Sequence, residues 1–153
     1  MSDIRGALKR LSYGVYVVTA RRGDEINAMT CRMVSQVSLR PPCVSVSIAK
    51  RRYTHDFIQN SGAFVINVLG AEQAMLGGHF GLRSGRDMNK CAGVEWETGQ
   101  TGAPILKECC AWLECLVKHE VDLGHCTLFI GEVIDAQTQD KRPLIYVESD
   151  YYC

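Results

Sequence analysis

Residues 109–139, CCAWLECLVKHEVDLGHCTLFIGEVIDAQTQ, are the part of this 153-residue sequence that decides the fold. Leu123-Gly124 separates two long runs rich in strand-forming residues, which predicts a β-hairpin. After the turn both faces of the strand are apolar, with Leu128, Ile130 and Ile134 on one side and Phe129 and Val133 on the other. A strand of this kind is expected in a barrel that a helix or a second subunit also covers from outside.

Further strands and a few short helices are expected in the sequence that precedes the hairpin. Alternating or apolar patterns predict strands at 13–20, 25–39 (with an irregular middle), 43–48 and 63–69. Helices are predicted at 3–11, with Ser2 as its N-cap, at 54–60 and at 71–80. These elements favour a mainly β fold, an antiparallel barrel of about six strands. The chain lacks strand–helix alternation and a G-x-G-x-x-G motif after a strand, which disfavours a Rossmann fold.

Composition and charge restrict the class of protein. Hydrophobic residues make up 46% of the chain and charged residues 22%, which is typical of one globular domain, expected over 1–153. Lys+Arg and Asp+Glu both number 17, so no basic excess indicates nucleic-acid binding. The longest uncharged stretch, 57–71, is too short and too polar to span a membrane. The first residues do not resemble a signal peptide, so we expect a cytoplasmic protein.

The eight cysteines are interpreted as reduced, mostly buried residues. No two of them are spaced C-x-x-C, so zinc-ribbon, rubredoxin and thioredoxin sites are not indicated, and no metal site is predicted. The absence of a secretory signal disfavours a disulfide framework.

An anion site is predicted after the strand at 43–48. Residues 50–57, KRRYTHDF, place three basic residues before Thr54, which is a credible N-cap for the following helix. Free backbone N–H groups and the positive end of the helix dipole attract phosphate there. The alternative is a solvated basic turn with an ordinary cap. A second basic cluster, at 83–90 in a glycine-rich loop, is expected either to converge on the same phosphate or to be a surface loop.

Six short motifs occur in an order that resembles a known family. They are SYGVYVVTA at 12–20, SQVS at 35–38, YTHDF at 53–57, GHFGLRSGRD at 78–87, GAPI at 102–105 and TLFIGEV at 127–133. Over about residues 5–147 the chain resembles the flavin reductase-like family of FMN-binding split barrels, and especially flavoredoxins and the flavin domain of high-molecular-weight rubredoxins. The resemblance implies a six-stranded Greek-key split barrel that binds FMN as a homodimer.

The resemblance also implies which residues hold the flavin. The ring is expected beside the segment 27–33, in which the candidate contacts are Met29, Thr30, Cys31, Arg32 and Met33. The cofactor is expected to run along a second segment formed by Ser47, Ile48, Ala49 and Lys50. The phosphate is expected near Arg52, Thr54, His55, Arg86 and Lys90. His79 is expected either to cover the flavin pocket or to pack at a helix end.

The hairpin turn departs from the family pattern. Relatives commonly carry a histidine two residues after the turn glycine, and here Cys126 takes that place while His125 stands one residue earlier. We interpret His125 and Cys126 as the candidate catalytic residues. Adjacent strand residues point to opposite faces, so His125 replaces the usual histidine only if the hairpin end is irregular. The hypothesis that follows is slow direct reduction by NAD(P)H, with a reduced protein as the better donor.

Three functions remain open at this point. The first is an FMN-binding oxidoreductase that moves electrons from NAD(P)H or a reduced protein to a flavin or a rubredoxin-like acceptor, with any rubredoxin a separate protein. The second is a related split-barrel oxidase. The third is a non-enzymatic dimeric binding protein. Trp112 and Tyr146 are expected to be barrel or interface residues.

Overall fold

The computed structural model describes residues 1–145, which contain three helices and nine strands. The helices are α1 (Ile4–Leu8), α2 (Tyr53–Ser61) and α3 (Ala74–Gly81). The strands are β1 (Tyr16–Arg22), β2 (Glu25–Cys31), β3 (Val34–Leu39), β4 (Pro42–Ala49), β5 (Ala63–Val68), β6 (Trp96–Thr98), β7 (Pro104–Leu106), β8 (Ala111–Asp122) and β9 (Cys126–Thr138). The predictions for Tyr146 and for the thiol of Cys153 lie outside the described residues.

The predicted hairpin is confirmed as β8 and β9, which pair antiparallel along their length. Gly124 has φ +86°, a conformation that glycine adopts without strain, and the Leu123 N–H donates to the Cys126 carbonyl at 2.9 Å. His125 lies in this turn and Cys126 is the first residue of β9. Near the turn the pairing is regular up to Asp122 and Thr127. Because His125 precedes β9, the alternation of strand faces alone does not fix the direction of its side chain.

The main sheet has seven strands rather than the expected six. Their order is β2-β1-β5-β8-β9-β4-β3, with β2 and β3 at the two edges, so the sheet is open where a six-stranded split barrel was predicted. The predicted strand at 25–39 is two strands, because the chain turns after Cys31 and the Val34 N–H donates to the Arg32 carbonyl at 2.9 Å. The separate two-stranded sheet of β6 and β7 was not predicted. The mainly β class and the antiparallel pairing are confirmed.

The core lies between the concave side of the sheet and α2. Phe57 of α2, Phe64 of β5 and Phe129 of β9 are fully buried there, and truncating any one of them to alanine would cost about 3–5 kcal/mol. On β4 the alternation predicted from the sequence holds, with Val46 and Ile48 buried. Gly131 is required on β9, because a Cβ there would lie 2.6 Å from the ring of Phe64.

Among the described residues, several apolar side chains are exposed on the outer surface of the protein. Leu128 and Ile130 are only half-buried, and Leu39 at the edge strand is 79% exposed. Helix α1 buries no residue and is shorter than predicted, and its N-cap is Asp3 rather than Ser2. Within residues 1–145, no helix has both the length and the apolar character needed to cross a membrane.

Candidate functional site

A cleft of about 220 Å³ opens between the start of α2, the end of β2 and the loop after α3. Five of its lining side chains are cationic, and no carboxylate lines it among the described residues. The lining residues are Asn27, Met29, Arg51, Arg52, Tyr53, Thr54, Arg83, Ser84, Gly85, Arg86 and Lys90. This surplus of positive charge favours the binding of an anion such as a phosphate in the cleft.

The start of α2 forms one wall of the cleft. Arg52 is the N-cap, with extended backbone at φ −74° and ψ 139°, and it makes no side-chain capping bond. The prediction that Thr54 is the N-cap is therefore wrong. Thr54 is the second helical residue, and its buried Oγ1 accepts a hydrogen bond of 2.9 Å from Nδ2 of Asn27. The first-turn N–H groups of Tyr53 and Thr54 have no partner within the helix, so they are available to an anion.

The glycine-rich loop forms the facing wall. Arg86 Nη1 donates to the Arg51 carbonyl at 2.9 Å, and the Arg86 guanidinium lies 4.9 Å from the centre of the Tyr53 ring. This stacked geometry ties the loop to α2 through a cation–π contact. Of the two alternatives for the second basic cluster, the structure shows the one in which it lies beside the first cluster.

Lys90 is a buried cation at the base of the loop. Its side chain donates to the carbonyls of Phe80 and Arg83, both at 3.0 Å, and only 3% of the residue is exposed. Burial, followed by the charge of Arg52, lowers the pKa of Lys90 to about 8. An ammonium has three hydrogens, so one remains for an anion in the cleft. A bound dianion would favour the charged form of Lys90 and raise its pKa.

The two segments expected to contact the flavin lie side by side. The Cys31 thiol contacts the Ser47 carbonyl at 3.7 Å, and Ala49 pairs with Cys126 across β4 and β9. Burial raises the pKa of Cys31 to about 11, with a smaller contribution from Cys126, so Cys31 is a neutral thiol. The Lys50 N–H donates to the His125 carbonyl at 3.0 Å. Both candidate catalytic residues are therefore adjacent to the second of these segments.

The remaining residues of the two segments have separate positions. Met29 lines the cleft, while Ile48 faces the core. Thr30 donates to the Gly77 carbonyl, and Arg32 lies 5.2 Å from the centre of the Tyr13 ring. Met33 is partly exposed between β2 and β3.

Three other predicted site residues contact groups of the protein itself. His55 is 4% exposed, its Nε2 lies 2.8 Å from Oγ1 of Thr127, and its Nδ1 is buried without a hydrogen-bond partner. His79 Nε2 lies 2.7 Å from the Lys90 carbonyl and so supports the loop. Lys50 forms an exposed ion pair of 2.7 Å with Asp122. None of the three is among the residues that line the cleft.

Six lining residues were not named individually as site residues from the sequence: Asn27, Arg51, Tyr53, Arg83, Ser84 and Gly85. Arg51 and Arg83 belong to the two basic clusters, so the density of charge was a usable signal. Asn27 lay within the segment 27–33 that the resemblance placed beside the flavin ring, but its contact with Thr54 is visible only in the folded chain.

Residues 8–152 match the model of the flavin reductase like domain. The chain belongs to the flavin reductase-like family. The match covers more than half of the chain, and it confirms the family that the sequence motifs indicated.

Relatives and a solved structure agree with this membership. The chain is 42% identical to the high molecular weight rubredoxin of Moorella thermoacetica over 85% of its own length and 58% of that protein. It is 36% identical to the ferric-chelate reductase (NAD(P)H) of Archaeoglobus fulgidus, over 95% of this chain and 87% of that protein. The NADH:FAD oxidoreductase of Streptomyces globisporus has the same fold, with a TM-score of 0.87, 30% identity, and coverage of 94% of this chain and 86% of that one. The names of these relatives support the predicted class, flavin-dependent oxidoreductase.

Proposed function

We propose that this chain, taken as one domain over 1–153, is a flavin-dependent oxidoreductase that holds FMN with its phosphate in the basic cleft. The observation that carries the proposal is the convergence of two separate segments, one with Arg52 and the other with Arg86 and Lys90, on one cleft that no described carboxylate lines. A phosphate monoester is close to a dianion at neutral pH, and it is best held by cations together with backbone and hydroxyl donors.

The residues of the cleft fit this phosphate on the protein's own chemistry. Thr54 offers a hydroxyl, the first turn of α2 offers two N–H groups, and Lys90 offers its third N–H. Arg52 and Arg86 supply charge at the mouth. FMN is proposed over FAD because the family resemblance points to it, and the name of the Streptomyces protein makes FAD the alternative to test.

The flavin, when bound, supplies the electron-transfer chemistry, and the protein binds and orients it. The cleft fixes one end of the cofactor, and Met29–Met33 and Ser47–Lys50 extend from it toward His125 and Cys126. These two residues border the place where a donor would approach. The proposed donor is NAD(P)H or a reduced protein, and the proposed acceptor is a flavin or a rubredoxin-like protein.

We propose a homodimer as the assembly. The support is the apolar outer surface, where Val37, Leu39, Val121 and Leu123 are each more than 40% exposed in the single chain. A partner subunit would cover exposed apolar side chains of this kind. The seven described cysteines are free thiols, which agrees with the proposed cytoplasmic location.

Arg52→Ala tests the proposal. It is expected to weaken FMN binding about ten- to a hundredfold, the effect of losing a hydrogen bond to a charged group, and to leave riboflavin binding nearly unchanged. Flavin fluorescence titrations measure both constants. Arg10→Ala is the matched control, because Arg10 is exposed and lies far from the cleft residues in the sequence. Purified protein that takes up neither FMN nor FAD would refute the proposal, and tighter binding of FAD than FMN would refute the cofactor assignment.

A further inference from the structure

Asn27 is a buried amide in contact with both walls of the cleft. It lies on β2, is 3% exposed, and donates from Nδ2 to Oγ1 of Thr54 at 2.9 Å. On the loop side, a Cβ placed on Gly85 would lie 2.1 Å from Oδ1 of Asn27. The loop therefore approaches the amide at a distance that only glycine permits, and the amide is held with its oxygen toward the loop and its nitrogen toward α2.

The hydrogen bond from Asn27 decides in which direction the Thr54 hydroxyl can donate. A hydroxyl group has one hydrogen to donate and lone pairs with which to accept. Since Oγ1 of Thr54 accepts from Asn27, the hydroxyl hydrogen must point elsewhere. The hydrogen bonds of the described residues provide no protein acceptor for it, although Thr54 is fully buried and lines the cleft.

We propose that Asn27 is a positioning residue for the phosphate: it holds the Thr54 hydroxyl as a donor aimed into the cleft. This inference rests on the proposed function, because it requires a phosphate at this place. Asn27 acts through Thr54. Without Asn27 the hydroxyl is free to rotate, and part of its orientation is lost before the anion binds.

The test is a double-mutant cycle read out by the dissociation constants of FMN and riboflavin. Thr54→Val keeps the shape of the side chain and removes the hydroxyl, and we expect it to weaken FMN binding about tenfold or more. Asn27→Leu keeps the approximate volume and removes the donor, and we expect FMN binding to fall about three- to tenfold. Riboflavin, which lacks the phosphate, should bind all variants with nearly the same affinity.

The coupling between the two positions separates positioning from simple structural support. Added to Thr54→Val, Asn27→Leu should have almost no further effect on FMN, because the hydroxyl that it orients is gone. An equal loss in both backgrounds, or an equal loss for riboflavin, would overturn the inference. If Thr54→Val itself leaves the preference for FMN over riboflavin unchanged, the phosphate lies elsewhere and the proposed site fails as well.

Gly85→Ala provides a second perturbation that leaves Asn27 in place and keeps the test decisive if Asn27→Leu does not fold. The new methyl group must displace the Asn27 amide. The same FMN-specific loss is expected, and it should shrink in the Thr54→Val background. An undiminished loss in that background would count against the inference.

Discussion

FMN is expected to bind less tightly as the pH rises above 8, because the cleft contains a lysine whose proton is easily lost. The pKa of Lys90 is lowered from 10.5 to about 8, mainly by burial. One pKa unit corresponds to about 1.4 kcal/mol, so holding the charged amine in this place costs about 3 kcal/mol near neutral pH. A phosphate dianion in contact with the ammonium compensates that cost.

The direction of the effect follows from proton binding. Between pH 8 and 10.5 the unfolded chain retains the Lys90 proton and the cofactor-free folded protein has lost it, so the free energy of unfolding contributed by Lys90 rises with pH in this range. FMN acts in the opposite sense, since its phosphate favours the protonated form and binding takes up a proton. If the bound phosphate restores the ordinary pKa, the affinity falls about ten- to twentyfold from pH 7.5 to pH 9.5.

Fluorescence titrations of FMN and riboflavin at several pH values measure this dependence. Lys90→Met should bind FMN more weakly at pH 7.5 and lose the slope above pH 8, while Lys118→Met, which changes an exposed lysine, should keep it. An FMN affinity that is constant between pH 7.5 and 9.5 would refute the reasoning. A slope shared by riboflavin would assign it to the flavin ring rather than to Lys90.

Three further outcomes are expected. Direct reduction of the bound flavin by NADH or NADPH should be slow, and Cys126→His should speed it, while His125→Ala should change its rate little. Stopped-flow bleaching of the flavin absorbance measures these rates, and rapid bleaching of the wild type would contradict the expectation. The protein should be a dimer with about one FMN per chain, and Leu39→Lys at the exposed edge should weaken the dimer in light scattering, whereas an unchanged mass would remove this edge from the interface. Glu114 is fully buried and accepts three hydrogen bonds from Gln100 and Thr101. Glu114→Ala should therefore lower the free energy of unfolding, measured by urea titration, by about 2–4 kcal/mol. A loss below about 1 kcal/mol would show that the loop readjusts.

Local patterns in the sequence were sufficient where a single segment determines its own structure. The hairpin around Gly124 and the alternation on β4 were both predicted, because turn chemistry and a period of two act between near neighbours. The split of 25–39 into β2 and β3 was predicted only as an irregular middle of one strand, since both halves have strand-forming residues and only the turn at Arg32 separates them. The cap of α2 was also assigned wrongly, because Thr54 was read as the free hydroxyl of a helix end.

The sequence by itself determined that this protein is a mainly β member of the flavin reductase-like family with two clusters of basic residues. Only the tertiary structure decided that these clusters form one cleft, that Lys90 is buried within it, and that Asn27 bonds to Thr54. The physical reason is sequence separation. Charge and periodicity are visible along a segment, but a hydrogen bond between residues 27 positions apart exists only after β2, α2 and the loop have packed together.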